Sequence, residues 1–219
     1  MKKCVIFDLD GTLLYTLDSI THHLNATLSS RGFKTVSSEE TGEFIGNGAK
    51  MLVSRAMAKS GVSDAETVES VLRDYNLSYN NDPLPFTEPY DGIVELIDEL
   101  ADRDIALAVV TNKPEPTAKQ LVEHFFPGKF GVVIGGRAGA SLKPDPTDAL
   151  RAVSIMGGSP SATAFVGDMS VDIQTGRNMG AALSVGVSWG FRSRDHLISE
   201  GADSVVDEPL EILPLLDKL

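Results

Sequence analysis

Two aspartates that stand one residue apart, Asp8 and Asp10, follow the apolar run of residues 4–7 and precede Gly11. A strand delivers residues i and i+2 to the same side, and a glycine lets the backbone turn close to a ligand. Two like charges held together need a counter-charge, and a hard divalent cation with oxygen ligands is the usual one. The pair therefore indicates a cation site at the end of a buried strand. A charged surface turn is the alternative, but it leaves the apolar run unexplained.

Polar side chains also follow other apolar runs of the chain. They are Thr111, Asn112 and Lys113 after one run, Asp168 with Asp172 after another, and Lys143 in a loop before a helix. In an open parallel sheet, ligands bind at the carboxyl ends of the strands, so these side chains are expected at one edge. A surface turn does not predict this convergence. The sequence therefore favours an active site.

These residue types suit phosphoryl transfer. The reaction needs a nucleophile, a cation that neutralises the phosphate oxygens, and donors around the equatorial oxygens. One carboxylate can attack phosphorus and form an aspartyl phosphate, and a second can protonate the leaving oxygen and later activate water. Mg²⁺ takes only a few protein oxygens, which two or three aspartates would supply. Thr111 can donate to a phosphoryl oxygen, and Lys143 can bridge the nucleophile and the phosphoryl group.

The elements that must hold these residues are predicted from short apolar runs. The runs cover residues 5–7, 106–110, 132–134, 164–166, 183–187 and 204–206. They are continuous rather than alternating, which is typical of parallel strands that are covered on both faces. Helical patterns lie between them. They include positions 93, 96, 97 and 100, positions 118, 121, 122 and 125, and Leu150 with Val153. Strands and helices alternate from about residue 90, which predicts an α/β fold with a doubly wound parallel sheet.

The segment from residue 16 to residue 80 interrupts this alternation because it carries only helical signals. We interpret it as an all-helical cap domain inserted after the first strand, with a turn-rich return hinge at residues 80–85. The predicted division is an α/β catalytic core domain of residues 1–15 and 81–219 and a helical cap domain of residues 16–80.

Two helix starts inside the predicted cap have the spacing of a capping box. Ser37 stands three residues before Glu40, and Ser63 stands three residues before Glu66. In such a box the serine accepts the N–H of the third helical residue, whose glutamate reaches back to the serine N–H. The spacing therefore predicts that Ser37 and Ser63 each precede a helix.

Composition limits the partners and the compartment. The 219 residues include 31 acidic and 19 basic side chains, and the formal net charge is −12. This balance argues against broad binding to nucleic-acid phosphates or to anionic lipid. No stretch approaches the roughly 18 apolar residues of a membrane helix. The single cysteine, Cys4, excludes an intrachain disulfide and is typical of a reducing compartment. We therefore expect a cytoplasmic protein that binds neither nucleic acid nor membranes.

The polar groups resemble, in order, the four motifs of the haloacid dehalogenase superfamily of phosphohydrolases over essentially the full chain. Residues 7–12 look like the first motif, Thr111-Asn112 like the second, Lys143-Pro144 like the third, and Gly167-Asp168 with Asp172 like the fourth. The resemblance implies a Rossmann-like core with a cap, Asp8 as the nucleophile and Asp10 as the general acid and base. It also implies Mg²⁺ held by Asp8, by the backbone carbonyl of Asp10 and by Asp168, with Asp172 supporting that site.

Local sequences narrow the resemblance to the phosphoglycolate phosphatase branch, whose members carry a helical cap. They are residues 45–49, 110–114, 175–178 and 187–191. This resemblance implies a Mg²⁺-dependent phosphatase, monomeric or dimeric, that acts on a small anionic phosphate ester, with 2-phosphoglycolate as the first candidate. Met169 departs from the pattern because relatives more often carry a small polar residue there, a change that could alter a hydrogen bond near the metal.

Several residues have a substrate-binding interpretation beside a structural one. The cap loop of Gly46, Asn47 and Gly48 is either an ordinary turn between helices or a loop that reaches over the site, where glycines permit a close approach. Lys113, next to Thr111 and Asn112, meets a substrate carboxylate or lies on the surface. We expect Thr111, Asn112, Lys113 and the cap loop to bind substrate.

Other functions fit parts of the pattern. A signalling receiver also accepts phosphate on an aspartate with the help of threonine, lysine and Mg²⁺, but Asp10, the helical insert and the chain length argue against it. A sugar-phosphate mutase or a phosphonate hydrolase with the same core would also use Asp8 for attack, and the core motifs do not exclude either. A phosphonate hydrolase would need an amine from the cap to activate its carbonyl substrate.

Overall fold

The computed structural model describes residues 2–217 and 219; Met1 and Lys218, which the predicted core domain includes, lie outside the described residues. The strands are β1 (Lys2–Phe7), β2 (Leu14–Tyr15), β3 (Glu88–Pro89), β4 (Ala106–Pro114), β5 (Val132–Gly136), β6 (Gly158–Gly167), β7 (Leu183–Val187) and β8 (Ser204–Val206). Six of them form one parallel sheet in the order β5-β4-β1-β6-β7-β8. The predicted doubly wound α/β sheet is confirmed.

The sheet is buried on both faces, which explains the continuous apolar runs. In β1, Val5 and Phe7 belong to the hydrophobic cluster on one face. Ile6 belongs to the cluster on the opposite face, together with Ala108 and Phe165, its register partners in β4 and β6. Burying these side chains contributes about 25 cal/mol per Å² of apolar surface. The central position of β1 places the residues after Phe7 in the middle of the carboxyl edge.

Helices cover the sheet and form the inserted block. They are α1 (Leu17–Ser30), α2 (Ser38–Phe44), α3 (Ala49–Ala58), α4 (Ala65–Asn81), α5 (Ile93–Asp102), α6 (Glu115–Phe125), α7 (Thr147–Met156), α8 (Ser170–Met179), α9 (Arg194–Ser199) and α10 (Ile212–Leu216), with a 3₁₀ turn at Pro209–Glu211. No helix in residues 2–217 and 219 is long and apolar enough to cross a membrane.

Helices α1–α4, which we call the cap, pack around a hydrophobic cluster of their own. The chain enters the cap through β2 and leaves it through β3, and these two strands pair antiparallel. Two residues are too few for a periodic signal, so this ribbon could not be predicted. α4 continues to Asn81, and the turn-rich hinge therefore begins at Asp82. The division of the chain at residues 16 and 80 stays a prediction.

One of the two predicted capping boxes is confirmed and the other is wrong. Ser37 caps α2, and both hydrogen bonds of its box with Glu40 are present. α4 is capped by Asp64 rather than by Ser63, because the Asp64 carboxylate accepts the Thr67 N–H at 2.9 Å. A carboxylate also complements the positive end of the helix dipole, so the helix begins one residue later than expected.

The helix predicted from Leu150 and Val153 is confirmed as α7, but of these two residues only Val153 belongs to its buried face. Leu150 is 40% exposed, whereas Ala149, Ala152 and Val153 are buried against the sheet. The buried stripe therefore follows i, i+3, i+4 from Ala149. Alanines let the helix lie close to the sheet, and the larger leucine next to the stripe gave the misleading signal.

Candidate active site

Three buried carboxylates meet at the carboxyl edge of the two central strands. Asp8 follows β1, Asp168 follows β6, and Asp172 lies in the first turn of α8. One oxygen from each carboxylate lies within 4.8 Å of the others. All three residues are nearly or fully buried. Since β1 and β6 are neighbours in the sheet, the fold itself brings the first and fourth sequence motifs together.

Glycines make room for this cluster. Gly11 has φ +82°, and a Cβ there would lie 2.4 Å from Asp168 Oδ2. A Cβ at Gly167 would lie 2.3 Å from the Asp172 Cβ. Both distances are far below van der Waals contact, so each position accepts only glycine. The glycines of the first and fourth motifs therefore serve the close approach of backbone and carboxylates.

Lys143 is the buried cation of the cluster. Its Nζ lies 2.7 Å from Asp8 Oδ1 and donates to Asp172 Oδ1 at 2.6 Å. Asp168 is held by neutral donors instead, because it accepts the Thr12 hydroxyl at 2.9 Å and the Phe191 N–H at 2.8 Å. Among the described residues, the three carboxylates thus share a single lysine, which contacts only Asp8 and Asp172. The cluster keeps excess negative charge in a buried place.

The pKa values of the cluster reflect this excess charge. Burial raises the pKa of Asp168 well above its usual value, and the charges of Asp172 and Asp8 raise it further. Burial also raises the pKa of Asp172, to about 6, although Lys143 opposes the shift. Burial alone would lower the pKa of Lys143, but Asp172 and Asp8 outweigh it and the pKa is raised. A bound cation would stabilise these neighbouring carboxylates because it offsets their mutual repulsion.

The donor set fits a hard divalent cation. Carboxylate oxygens are the ligands that such cations prefer. Asp8 Oδ1 is buried, and its ion pair with Lys143 leaves a lone pair of this oxygen for a cation. Asp8, Asp168 and Asp172 would hold the ion through side chains. The Asp10 carboxylate is engaged elsewhere, which leaves its backbone carbonyl for this purpose.

Asp10 is paired with Lys113 on the side of the cavity that faces the cap. Lys113 Nζ donates to Asp10 Oδ1 at 2.9 Å and to the hydroxyl of Tyr79, in α4, at 2.7 Å. Lys113 is 5% exposed. The surface alternative for this lysine is therefore wrong. Tyr79 was missed by the sequence analysis because a tyrosine on the inner stripe of a helix looks like an ordinary core residue.

Asn112 joins the core to the cap loop. Its Nδ2 donates to Gly46 O at 2.9 Å and to Lys143 O at 3.3 Å, and its Oδ1 accepts the Lys143 N–H at 2.8 Å. These bonds use both N–H groups of the amide and one lone pair of its oxygen, and they position Lys143 and the cap loop. Asn112 also lines the cavity, so substrate binding by this side chain stays a prediction. Thr111, one residue earlier, is buried and lines the cavity.

The cap loop is only partly directed at the site. Gly46 and Gly48, with φ +109° and +82°, line the cavity. Asn47 lies between them but is exposed, and its Oδ1 accepts a hydrogen bond from Arg55 at 2.9 Å. The structure therefore does not bring the Asn47 side chain to the other predicted site residues. Both glycines are at positive φ, where other residues are strained.

These groups surround one small cavity of about 50 Å³ between core and cap. Its walls are Asp8, Asp10, Thr111, Asn112, Lys113, Pro114, Lys143 and Met169 from the core, and Ile20, Ile45, Gly46, Gly48, Ala49, Leu52, Tyr75 and Tyr79 from the cap. The core side is charged and the cap side is mainly apolar. Such a site holds a small polar group against the carboxylates and shields it from water.

Known proteins are similar to this chain in sequence and in fold. The family model described as haloacid dehalogenase-like hydrolase matches residues 5–185. A phosphoglycolate phosphatase of Rhodospirillum rubrum is 35% identical over 95% of this chain and 88% of its own length. An N-acetylmuramic acid 6-phosphate phosphatase of Pseudomonas aeruginosa is 31% identical over 99% and 95%. A crystal structure from Lactobacillus delbrueckii subsp. bulgaricus has a TM-score of 0.91 at 31% identity and 99% coverage of both chains.

Proposed function

Because the chain belongs to the haloacid dehalogenase-like hydrolase family and is a phosphoric monoester hydrolase, we propose that it hydrolyses a small anionic phosphate monoester with the help of Mg²⁺. The first candidate substrate is 2-phosphoglycolate. The observation that carries this proposal is the buried cluster of Asp8, Asp168, Asp172 and Lys143, of which Asp8 and Lys143 line a small cavity together with Asp10. A cytoplasmic location and a monomeric or dimeric state stay predictions.

The proposed reaction has two steps. A carboxylate oxygen of Asp8 attacks phosphorus, the ester oxygen leaves with a proton from Asp10, and an aspartyl phosphate forms. Asp10 then takes a proton from water, the water oxygen attacks phosphorus, and the bond to Asp8 breaks to release phosphate. Thr111 donates to a phosphoryl oxygen, and Lys143 balances charge at both steps. Asp10 and Lys143 both line the cavity, and they pair with different partners, Lys113 and Asp8.

Asp8, Asp168, Asp172 and the Asp10 carbonyl would hold Mg²⁺. Bound there, the ion supplies positive charge next to the phosphoryl oxygens, where negative charge develops. Lys143 pairs with both Asp8 and Asp172 and so offsets the repulsion between them. The buried cluster therefore serves both the ion and the nucleophile.

Mg²⁺ is expected to stabilise the folded protein, more strongly above pH 6 than below it. The raised pKa of Asp172, to about 6 against 3.8 in the unfolded chain, means that the folded apoprotein binds a proton that the unfolded chain releases. That contribution to stability is lost as pH rises from about 4 through 6, and Mg²⁺ must displace the same proton. At a 100-fold excess over Kd the ion contributes about 2.7 kcal/mol, roughly 5–10 °C in Tm for a chain of this length.

The measurement is thermal unfolding with and without Mg²⁺ at pH 5 and pH 7.5. The Asp168→Asn variant is the control and should lose most of the shift. An equal Mg²⁺ effect at both pH values, or a full shift in Asp168→Asn, would contradict the assignment of the ion to this cluster.

A substrate carboxylate would bind Lys113. Its ammonium group has three N–H groups, which donate to Asp10 Oδ1, to Tyr79 and, at the longer distance of 3.3 Å, to Asp10 Oδ2. A substrate carboxylate would replace the long bond to Asp10 Oδ2. When Asp10 carries the proton that it gives to the leaving oxygen, Lys113 would be a buried cation without a counter-charge. A carboxylate two atoms from the ester oxygen, as in 2-phosphoglycolate, would supply that charge.

Lys113→Met is expected to raise KM for 2-phosphoglycolate roughly 10- to 150-fold, since a hydrogen bond to a charged group contributes about 1.5–3 kcal/mol. KM for ethyl phosphate, which has no carboxylate, should change far less. Lys50→Met is the matched control, because Lys50 pairs with Glu69 on the cap surface and its side chain is 66% exposed. An equal change in KM for both esters would exclude this carboxylate site.

The reaction products distinguish the phosphatase from the two alternative functions, a mutase and a phosphonate hydrolase. A mutase would accumulate an isomerised sugar phosphate instead of free phosphate. A phosphonate hydrolase needs a cap amine, and the described cap residues that line the cavity include none. Phosphate release should therefore be measured across a panel of small phosphate esters and phosphonates, with and without Mg²⁺. Mg²⁺-dependent release from small carboxylated esters is expected, and its absence from every ester in the panel would overturn the proposal.

A further inference from the structure

Met169 fills the gap between the carboxylate cluster and the cap. It stands in the chain between Asp168 and Asp172, is 7% exposed, and lines the same cavity as Asp8 and Asp10. The proposed chemistry makes no use of its side chain. A methionine adapts its shape to irregular gaps because its thioether chain is flexible. Its contribution to this site is therefore its volume.

The backbone of Met169 is held in place by the cluster itself. Met169 is the residue before α8, with φ −128° and ψ 160°, and its N–H donates to Asp172 Oδ2 at 3.0 Å. The Asp172 carboxylate, which the proposed metal site requires, thus also fixes the backbone position of Met169. The side chain belongs to the hydrophobic cluster of the cap, although the residue is part of the core.

The thioether end lies against the cap loop. A Cβ at Gly46 would lie 2.4 Å from Met169 Cε and 2.6 Å from its Sδ, so the loop passes directly over the methionine. Asn112 holds this loop in place through its hydrogen bond to Gly46 O. The loop cannot withdraw from Met169 without losing that bond. Met169 and the cap loop at Gly46 therefore form a continuous wall between the carboxylates and the cap.

We propose that Met169 limits the size of the leaving group, so that the enzyme takes phosphate esters of two- or three-carbon alcohols. This inference rests on the proposed function. A cavity of about 50 Å³ is small beside the roughly 300–1,000 Å³ of most ligand pockets. Once a phosphoryl group occupies the floor beside Asp8, only a short leaving group fits under the cap. Sδ and Cε of Met169 occupy the space into which a longer one would extend.

Met169→Ala removes these atoms and should shift the preference towards large esters. The probes are glycerol 3-phosphate and glucose 6-phosphate, whose neutral leaving groups differ in size and do not depend on Lys113 for a carboxylate contact. The ratio of kcat/KM for glucose 6-phosphate to that for glycerol 3-phosphate is expected to rise at least about tenfold, within the roughly 10- to 200-fold effect of a pocket that gains or loses a methylene. Both substrates are measured on one preparation, so the fraction of folded protein cancels.

Three further variants make the test specific. Met169→Val also lacks Sδ and Cε and carries the same expectation if the alanine variant does not fold. Met169→Leu keeps the volume and should keep the wild-type ratio. Met57→Ala makes the same deletion at a fully buried residue of the cap cluster that does not line the cavity, and its ratio should also stay unchanged.

The outcome separates this inference from the proposed function. If wild-type protein releases phosphate from glycerol 3-phosphate and the ratio stays the same in Met169→Ala and Met169→Val, the size limit is wrong and the phosphatase stands. If wild-type protein releases phosphate from neither probe nor from 2-phosphoglycolate, the proposed function is wrong. A tenfold shift in Met57→Ala as well would assign the limit to cap stability and overturn the role of Met169.

Discussion

Asp8→Asn is expected to abolish Mg²⁺-dependent hydrolysis of p-nitrophenyl phosphate, with a loss in kcat of at least about 10⁴-fold, as for the removal of other catalytic nucleophiles. The amide has nearly the shape of the carboxylate but does not attack phosphorus. The good leaving group of this ester needs no proton from Asp10, so the loss does not depend on proton transfer to the leaving group.

The fold should survive this change. The Asp8→Asn substitution would take one negative charge out of a buried, repulsive group, and Lys143 would keep its hydrogen bond to Asp172. We therefore expect circular dichroism like that of the wild type and a Tm that is no lower in the metal-free state. Turnover above about one hundredth of the wild-type value in a folded Asp8→Asn variant would contradict the assignment of Asp8.

Asp10→Asn is expected to separate the two steps of the reaction. With p-nitrophenyl phosphate the first step needs no acid, so one equivalent of nitrophenol should appear in a rapid burst. The second step needs a base that takes a proton from water, and steady-state turnover should fall by roughly 10²- to 10⁴-fold. The amide oxygen still accepts a hydrogen bond from Lys113, so the wall of the cavity is kept.

The decisive comparison is between esters with a good and a poor leaving group. With an alkyl ester such as glycerol 3-phosphate, the first step needs the proton of Asp10, and the burst should disappear. A burst with both esters, or equal turnover of wild type and Asp10→Asn, would exclude Asp10 as the acid and base.

The sheet could be predicted from the sequence because strands that are buried on both faces give continuous apolar runs. Each of the six apolar runs became a strand of the one parallel sheet, since a strand covered by helices on both sides carries mainly apolar residues. The rule that ligands bind at the carboxyl ends of such strands then placed Asp8 and Asp168 at one edge. Their close approach follows from the pairing of β1 with β6.

What could not be predicted depends on contacts between distant parts of the chain. Tyr79 has the same helical spacing as the core residues around it, and only its hydroxyl contact with Lys113 distinguishes it. Asn47 was grouped with its glycine neighbours, but the nearby Arg55 draws its side chain outwards. Neither partner is visible in a local pattern.

Local signals of equal strength were also ambiguous. Ser63 and Asp64 are both good residues to precede a helix, and the structure uses the aspartate. Met169 was noticed only as a departure from a motif. Its position against Gly46 shows that it belongs to the wall of the cavity.

The central claim is that Asp8 carries the phosphoryl group between the two steps. The direct measurement is to mix the Asp10→Asn variant with p-nitrophenyl phosphate and Mg²⁺, quench in acid during the burst, and reduce with borohydride, which converts an acyl phosphate to an alcohol. Peptide mass spectrometry should then find homoserine at position 8 in about one equivalent. Unmodified aspartate at position 8 after a full burst, or reduction at Asp168 or Asp172 instead, would contradict the account.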